Sequence, residues 1–324
     1  MVIDNSLKNP GLKDTVLTIG TFDGVHLGHQ MLFEILVERA KATNRESVVI
    51  TFNPHPQHII GKGINPKKIL SYIDEKVNLI SQLGIDHVYV IPFNIGFSKM
   101  TAEDFFNNII LNYFNPSAII VGHDHHFGFK KKGDLNFLNL KKKIHQFKVI
   151  KVNPNYDENK IISSSWIRAL IESHDINKVN YLLGRNFSLM GIVAEGDGRG
   201  RLLGFPTANI EIQYPLIQIP QVGVYLVKVF LLKSICFGVC NVGYRPTFDS
   251  HKKKAIEVHL FLSKTMNLYG KELKVEFIQF IREEEKFASK EALIDQIKKD
   301  KAICQKILED QDMKKGDNFL YVNH

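Results

Sequence analysis

Residues 16–37 constrain the fold more tightly than any other stretch. Val16–Ile19 is an unbroken apolar run and reads as a buried strand, while Met31, Leu32, Ile35, Leu36 and Val37 recur at helical spacing. Between them stands Gly20-Thr21-Phe22-Asp23-Gly24-Val25-His26-Leu27-Gly28-His29, with three glycines and two histidines about one turn apart. Glycine lets the backbone take positive φ and approach a ligand closely, and the start of the following helix offers unpaired N–H groups at its positive end. A strand, a glycine turn and a helix in that order make an anion site, to which the imidazoles of His26 and His29 add donors.

From Val16 to Val152 apolar strands alternate with helical periods. Strands are expected at Val16–Ile19, Ser47–Phe52, His87–Pro92, Ala118–Val121 and Phe147–Val152. Helices are expected at Met31–Ala42, Tyr72–Leu83, Ala102–Tyr113 and Leu135–Gln146, the third opened by Thr101 with Asp104 three residues on. This alternation predicts a Rossmann-like parallel sheet, with ligands beyond the carboxyl ends of its strands. The remaining motifs fall at such ends. Thr51-Phe52-Asn53-Pro54-His55-Pro56 is rigid and turn-forming, and Gly122-His123-Asp124-His125-His126-Phe127-Gly128 precedes a lysine run. Three histidines and an aspartate in four residues invite a metal, but consecutive residues seldom supply a coordination geometry, so a substrate loop is the better reading. Ile162-Ser163-Ser164-Ser165-Trp166-Ile167-Arg168 opens another helix, whose serines cap it or bind phosphate and whose Arg168 could reach the same anion.

After a connector at Asp175–Leu183 the period changes to strand after strand: Ser188–Ala194, Gly223–Leu231, Ile235–Val242, Ile256–Leu262 and Leu273–Ile281, then a helix from Lys290 to about Leu308. That pattern predicts an antiparallel barrel with one covering helix, and a division into residues 1–175 and 176–324. The 196–209 segment carries Gly196, Gly198, Arg199, Gly200 and Gly204 before Pro206-Thr207-Ala208-Asn209. Its spacing is wrong for a dinucleotide fingerprint, no helix follows, and no Walker A sequence is present. Thr207 and Asn209 share one parity, so a hydroxyl and an amide carbonyl can face one Mg²⁺ together. Glu257 and His259 likewise share a face opposite Ile256, Val258 and Leu260.

The length of 324 residues suits about two domains, and a 44% apolar content fills two cores. No run approaches the ~18 residues of a membrane span, and Asp4, Lys8 and Pro10 interrupt any signal-peptide core. Three cysteines, without C-x-x-C spacing, argue against a disulfide framework or zinc finger and for a reducing, cytoplasmic setting. The net charge of +8 comes partly from the scattered basic runs at 130–132, 141–143 and 252–254, which lack interleaved aromatics. A nucleic-acid-binding regulator would need steeply salt-dependent binding, and no RNA-reading motif supports one.

The G-x-F-D-G-V-H-L-G-H stretch resembles the nucleotidyltransferase signature. Together with T-F-x-P-H-P, V-G-x-D-x-x-F-G-x-x-x-x-G-D and I-S-S-S-x-I-R, it resembles the adenylyltransferase half of the bacterial bifunctional riboflavin kinase/FMN adenylyltransferase (FAD synthetase) family. In the second half G-x-x-R-G-x-x-x-G-F-P-T-A-N, E-x-H-L and R-E-E-x-K-F resemble the riboflavin kinase module of that family. The resemblance spans roughly Leu17 to Ile307 and implies two ATP- and Mg²⁺-dependent steps: riboflavin to FMN, then FMN to FAD with release of pyrophosphate. For adenylyl transfer it implies His26 and His29 on the ATP phosphates, a nucleotide turn with Gly20, Phe22, Asp23 and Gly28, and Ser164, Ser165 and Arg168 on the pyrophosphate end. Asn53, Asp124 and His125 would lie near flavin and nucleotide. For the kinase it implies Glu257 as general base, Thr207 and Asn209 on Mg²⁺, and a flap (Gly196, Gly198, Arg199, Gly200, Gly204, Pro206) over ATP. Arg282 and Phe287 would contact the flavin. Small molecules are the expected partners, with neither nucleic acid nor membrane, in a monomer or weak homo-oligomer. Asn53 stands where the family usually has Glu, His125 for Phe, Lys131 for Arg and Ser165 for Thr, and lesser departures occur at Asn186 and around Asn241–Phe248. These changes leave open a chain in which only the kinase is fully active.

Overall fold

The structure, a computed structural model, describes residues 2–4, 9–61, 66–195, 205–231, 234–244, 254–261 and 267–315. It divides into two compact units, Met1–Trp166 with Leu216–Gln218, and Ile167–Pro215 with Ile219–His324. The boundary read from the sequence falls at Asp175, whose side chain accepts from Lys178 N and caps helix α8, Ile176–Leu183.

The first unit is built on a parallel sheet of β1 (Val2–Asp4), β2 (Val16–Ile19), β3 (Ser47–Asn53), β4 (His87–Pro92), β5 (Ala118–Val121) and β6 (Lys148–Lys151). Its order is β1-β4-β3-β2-β5-β6. β2 and β5 are buried at every position, because helices cover both faces. Val16, Val49, Val88 and Ile120 pack on one side with α1 (Leu27–Ala42) and α3 (Ile73–Gln82). Leu17, Val48, Tyr89 and Ile119 pack on the other with Phe105, Phe106, Ile110 and Leu138. The predicted strands of this unit all form, with ends moved by at most one residue.

The helices differ from expectation in three places. α1 starts at Leu27 rather than Met31, because its polar first turn faces a cavity and so lacks the apolar stripe. The Ala102–Tyr113 helix is capped by Thr101 as expected, but is α-helical only over α5 (Ala102–Phe105) and π-helical over Phe106–Phe114. Its buried residues 106, 110 and 114 recur every four positions, more than the 3.6 of an α-helix, and the wider turn keeps them against the sheet. Pro56–Ile60, read as part of a turn, forms the short helix α2 with proline in its first turn and His55 accepting from Gln57 N. Ile95–Ser98 (α4) adds another short turn, and Leu135–His145 (α6) forms as expected. Two short strands, β7 (Tyr156–Asp157) and β8 (Lys160–Ile161), pair before α7 (Ser164–Glu172).

The second unit is a closed antiparallel barrel of β9 (Phe187–Ala194), β10 (Thr207–Glu211), β11 (Gly223–Leu231), β12 (Ser234–Tyr244), β13 (Lys254–Leu260) and β14 (Glu272–Arg282), ordered β10-β13-β12-β11-β14-β9. Strand ends lie within two residues of expectation, and β10 is the one strand that sequence periodicity left as merely extended. Tyr225, Val227, Cys240, Val258 and Phe277 fill the interior, while Val224, Leu226 and Val239 point outward onto Cys304 and Leu308 of α9 (Lys290–Lys315). β14 shifts register against β11 between Val224 and Tyr225 and again between Leu226 and Val227. Beside it Asn180 Nδ2 donates to the Phe277 and Ile278 carbonyls (2.9 and 3.2 Å), and Asn180 Oδ1 accepts from Phe187 N (2.8 Å). Asn180→Ala would strip three backbone groups of a partner and lower the unfolding free energy of the barrel by about 2–3 kcal/mol. Urea titration of the two proteins measures this, and a loss below ~0.5 kcal/mol would show the strand irregularity to be self-supporting.

Candidate functional site

β2 leads in one direction to β3 and β4 and its other neighbour is β5, so the crossovers diverge between β2 and β5. A crevice opens at the carboxyl ends of strands at such a point. Here a cavity of about 400 Å³ is lined by Gly20, Phe22, His26, Gly28 and His29 after β2, by Gly122, His123, Asp124, His125 and His126 after β5, and by Ser163, Ser164 and Ser165 at the start of α7. Lys67 and Lys131 add positive charge to the wall.

The turn after β2 is strained. Phe22 (φ 46°) and Val25 (φ 42°) occupy left-handed backbone that β-branched and aromatic residues avoid, and Gly24 (φ 81°) shares it. Buried bonds hold it: Asp23 Oδ1 accepts from Leu70 N (2.8 Å), Ser71 Oγ from Gly24 N (3.1 Å), and Ser164 Oγ donates to Asp23 O (2.9 Å). Phe22 packs edge-on against His29 and Phe33, with centroids 5.3 and 4.8 Å apart, and a side chain at Gly20 would strike its ring.

His26 is the N-cap of α1 yet makes no side-chain cap bond, and neither α1 nor α7 carries an acidic residue in its first turn. Both helix starts therefore present N–H groups with no acidic side chain set against the dipole. The His26 and His29 rings stack at 3.7 Å and 17°. Burial, then the neighbouring His26 and Lys76, hold the His29 imidazole well below its ordinary pKa. His125 is pushed down to about 4, chiefly by burial and by His126. The His29 and His125 rings are neutral at pH 7 and donate from one nitrogen each.

The cavity thus collects Gly20, Phe22, His26, Gly28, His29, Asp124, His125, Ser164 and Ser165. Three expected residues do not line it. Asp23 is buried in the turn, Asn53 is exposed at the end of β3, and Arg168 is buried on α7 within the second compact unit. Of the serines, Ser163 caps α7 through Trp166 N (3.3 Å). Among the described residues no group of three or more histidines, cysteines or carboxylates is placed to hold a metal.

On the barrel a second set gathers on the outer face. Asn209 on β10 pairs with Glu257 on β13, and Glu257 pairs in turn with Asn241 on β12, which puts three polar side chains in one row across three strands. Directly opposed residues of an antiparallel pair hold their Cβ atoms ~4.5–5.5 Å apart. The next row joins Thr207, His259 and Val239. His259 Nδ1 lies 3.1 Å from the Pro206 carbonyl and its ring packs edge-on to Phe205, which pins the chain entering β10. Gly196, Gly198, Arg199, Gly200 and Gly204 lie outside the described residues. Arg282 donates through Nε and Nη2 to both carboxylate oxygens of buried Asp300 (2.9 and 2.8 Å) and through Nη1 to Glu283 O, with Phe287 5.8 Å from its guanidinium carbon. Gln296 completes the cluster on Asp300. Asn241, Lys76 and Asp300 had no signal in the sequence, since each depends on a partner distant in the chain.

The FAD synthetase family model matches residues 8–166 and the riboflavin kinase model residues 183–308. Bifunctional riboflavin kinase/FMN adenylyltransferases of Buchnera aphidicola (from Acyrthosiphon pisum) and Bacillus subtilis are each 37% identical, covering 90% and 89% of this chain and 93% and 90% of theirs. The Escherichia coli K12 protein of that name is 33% identical over 88% of this chain and 90% of its own. A solved Streptococcus pneumoniae structure titled a macrolide-efflux protein superposes with a TM-score of 0.84 at 29% identity, covering 94% of this chain and 99% of that one. Among the described residues no helix is long and apolar enough to cross a membrane. The chain belongs to the bifunctional riboflavin kinase/FMN adenylyltransferase family, with its adenylyltransferase in the N-terminal half and its kinase in the C-terminal half.

Proposed function

We propose that the two sites above divide the chemistry as follows. In the first unit the FMN phosphate attacks the α-phosphorus of ATP in the cavity after β2, and pyrophosphate leaves toward the start of α7. The observation that carries this is the pair of helix starts, both bare of acid, that flank the stacked His26 and His29. Imidazole donors and backbone N–H groups stabilise charge that grows on the phosphates, and no covalent intermediate is required. Gly20 and Gly28 allow close approach of the backbone, and Asp23 holds the turn. Because the Ser164 hydroxyl proton is spent on Asp23 O, the peptide N–H groups at 164 and 165 serve the anion. Arg168 is assigned to the pyrophosphate on its position in the motif. Asp124 and His125 border the nucleotide, His125 offering a flat ring, and Asn53 sits at the flavin end.

In the second unit Glu257 takes the proton from the riboflavin 5′-hydroxyl as that oxygen attacks the γ-phosphorus of ATP. Thr207 and Asn209 fit Mg²⁺ by their chemistry: a hydroxyl and an amide oxygen on one outer face supply oxygen donors, and Glu257 stands opposite Asn209 in the strand register, beside them. The ion would neutralise charge on the ATP phosphates. Gly196, Gly198, Arg199, Gly200, Gly204 and Pro206 are assigned to a flap over ATP on their position in the motif, and Phe287 contacts the flavin on a segment that Arg282 anchors to Asp300. The all-thiol, buried state of Cys236, Cys240 and Cys304 supports a cytoplasmic enzyme.

Glu257→Gln should lower FMN formation by about 10²–10⁴ and spare FMN-to-FAD conversion. His29→Ala should do the reverse. Chromatographic assay of each half-reaction separates them, and a Glu257→Gln protein with full kinase activity would leave Glu257 a strand-face carboxylate only. The neutral imidazoles also fix a pH dependence of stability. His29 and His125 bind protons in the unfolded chain from about pH 6.5 downward, whereas the folded unit excludes them until well below that, at about 4 for His125. Stability is therefore complete above pH 6.5 and is lost as the pH falls toward 4. Urea unfolding at pH 7.5 and pH 5 should show that loss, and His29→Phe with His125→Phe should shrink it.

A further inference from the structure

Lys76 is a cation in an unexpected place. It lies in the first turn of α3, where the helix dipole disfavours positive charge, and only 6% of it is exposed. Its Nζ donates to Thr21 O (3.0 Å), Thr51 Oγ1 (3.1 Å) and Phe52 O (3.4 Å), which uses all three protons of an ammonium. No carboxylate lies within ion-pair distance of it among the described residues. Asp23 acts on it only through space. Thr51 Oγ1 donates in turn to Thr21 O (3.2 Å). One buried ammonium thus ties the strained turn after β2 to the end of β3, where the Thr51-Phe52-Asn53 motif begins.

The orientation of one peptide follows. In a trans peptide C=O and N–H point in opposite directions, so turning the Thr21 carbonyl onto Nζ turns the Phe22 N–H away from it. Thr21 and Phe22 line the cavity whereas Lys76 does not. We propose that Lys76 is a positioning residue of adenylyl transfer, whose charged Nζ locks the Thr21–Phe22 peptide with its N–H presented to the ATP phosphates. The proposal rests on the reading of the His26–His29 turn as the phosphate site. Burial without a paired carboxylate is costly, and an anionic ligand a few ångströms beyond the turn is what the charge complements.

The groups facing Nζ are Asp23 from the turn and His29 from α1, with the uncharged Thr51 from β3; His29 is neutral at pH 7. Burial lowers the Lys76 ammonium to about 8, with Asp23 opposing the shift. Its charge is present below that pH and lost above it.

The test uses the full chain, with kcat/KM for ATP in FAD formation from FMN followed between pH 6.5 and 9.5, and FMN formation by the same preparation as the control for ATP and flavin ionisation. The native protein should lose FAD formation above about pH 8 while the kinase does not. Lys76→Met should fall about 10²-fold, in line with loss of one preorganised donor, and should lack the alkaline limb. Lys76→Arg, which stays charged throughout, should keep most activity and also lack the limb. A purely structural lysine would give losses in both variants with the limb unmoved, which would overturn the proposal, as would a fully active Lys76→Met. Thermal melts of both variants identify a folding defect, and Lys76→Arg carries the test where Lys76→Met unfolds. His29→Ala is assayed alongside: if it retains full FAD formation, the phosphate-site reading falls and the proposal falls with it.

Discussion

The turn between β2 and α1 stands in a conformation its own residues would not choose. Left-handed φ at Phe22 and Val25 persists only because bonds from elsewhere over-determine it: Leu70 and Ser71 on Asp23 and Gly24, Ser164 on the Asp23 carbonyl, and Lys76 with Thr51 on Thr21. These come from the 70–71 segment, the start of α7, α3 and β3, so the turn is held only once segments distant in the chain have packed against it. The same bonds explain why Asp23, which invites a role on the nucleotide, instead sits buried in the turn. A carboxylate there accepts a peptide N–H and acts on Lys76 only through space, opposing but not cancelling the effect of burial.

The two halves prepare phosphate chemistry from different raw material. In the first, helix starts and imidazole rings gather at a switch point of a parallel sheet, a place where backbone dipoles converge. In the second, the described residues form a barrel with a filled interior. The chemistry is carried by the alternation of β-structure itself, with Ala208, Ile210, Val258 and Ile256 turned inward and Thr207, Asn209, Glu257 and His259 outward. α9 covers part of the same outer face through Cys304 and Leu308 and brings Asp300 to Arg282, so the flavin-side segment is braced by the helix that also completes the core.

What was legible in the sequence follows from how local each signal is. The strands and the two periods were readable because burial writes itself into neighbouring residues. The first turn of α1 was not, since its residues face a cavity and carry no apolar stripe. Short elements such as α2 escaped because Pro54 and Pro56 read as a turn, although proline also fits a first helical turn. The outward parity of Thr207 with Asn209, and of Glu257 with His259, was visible within each strand. That Asn209 stands opposite Glu257 was not, because register between strands separated by nearly fifty residues has no local trace. Lys76 is the sharpest case: in sequence it is an ordinary helical lysine with Asp74 and Glu75 beside it, and only the closure of β2 and β3 over it reveals a buried cation.

The departures from the family pattern gain meaning from this geometry. Ser165 and Lys131 line the cavity and keep the hydroxyl and the charge of the residues they replace, while Lys131 gives up the planar fork of an arginine. His125 keeps an aromatic ring against Phe127 at 5.7 Å, and burial holds that ring neutral, so it behaves toward a stacked base much as a phenyl group would. Asn53 differs in kind, because an amide replaces a carboxylate at an exposed strand end that does not line the cavity. Removing a negative charge there lowers repulsion toward two phosphate-bearing substrates and also removes an acceptor. The described bonds that hold the His26–His29 turn make no use of the Asn53 side chain, so the turn itself is indifferent to this change.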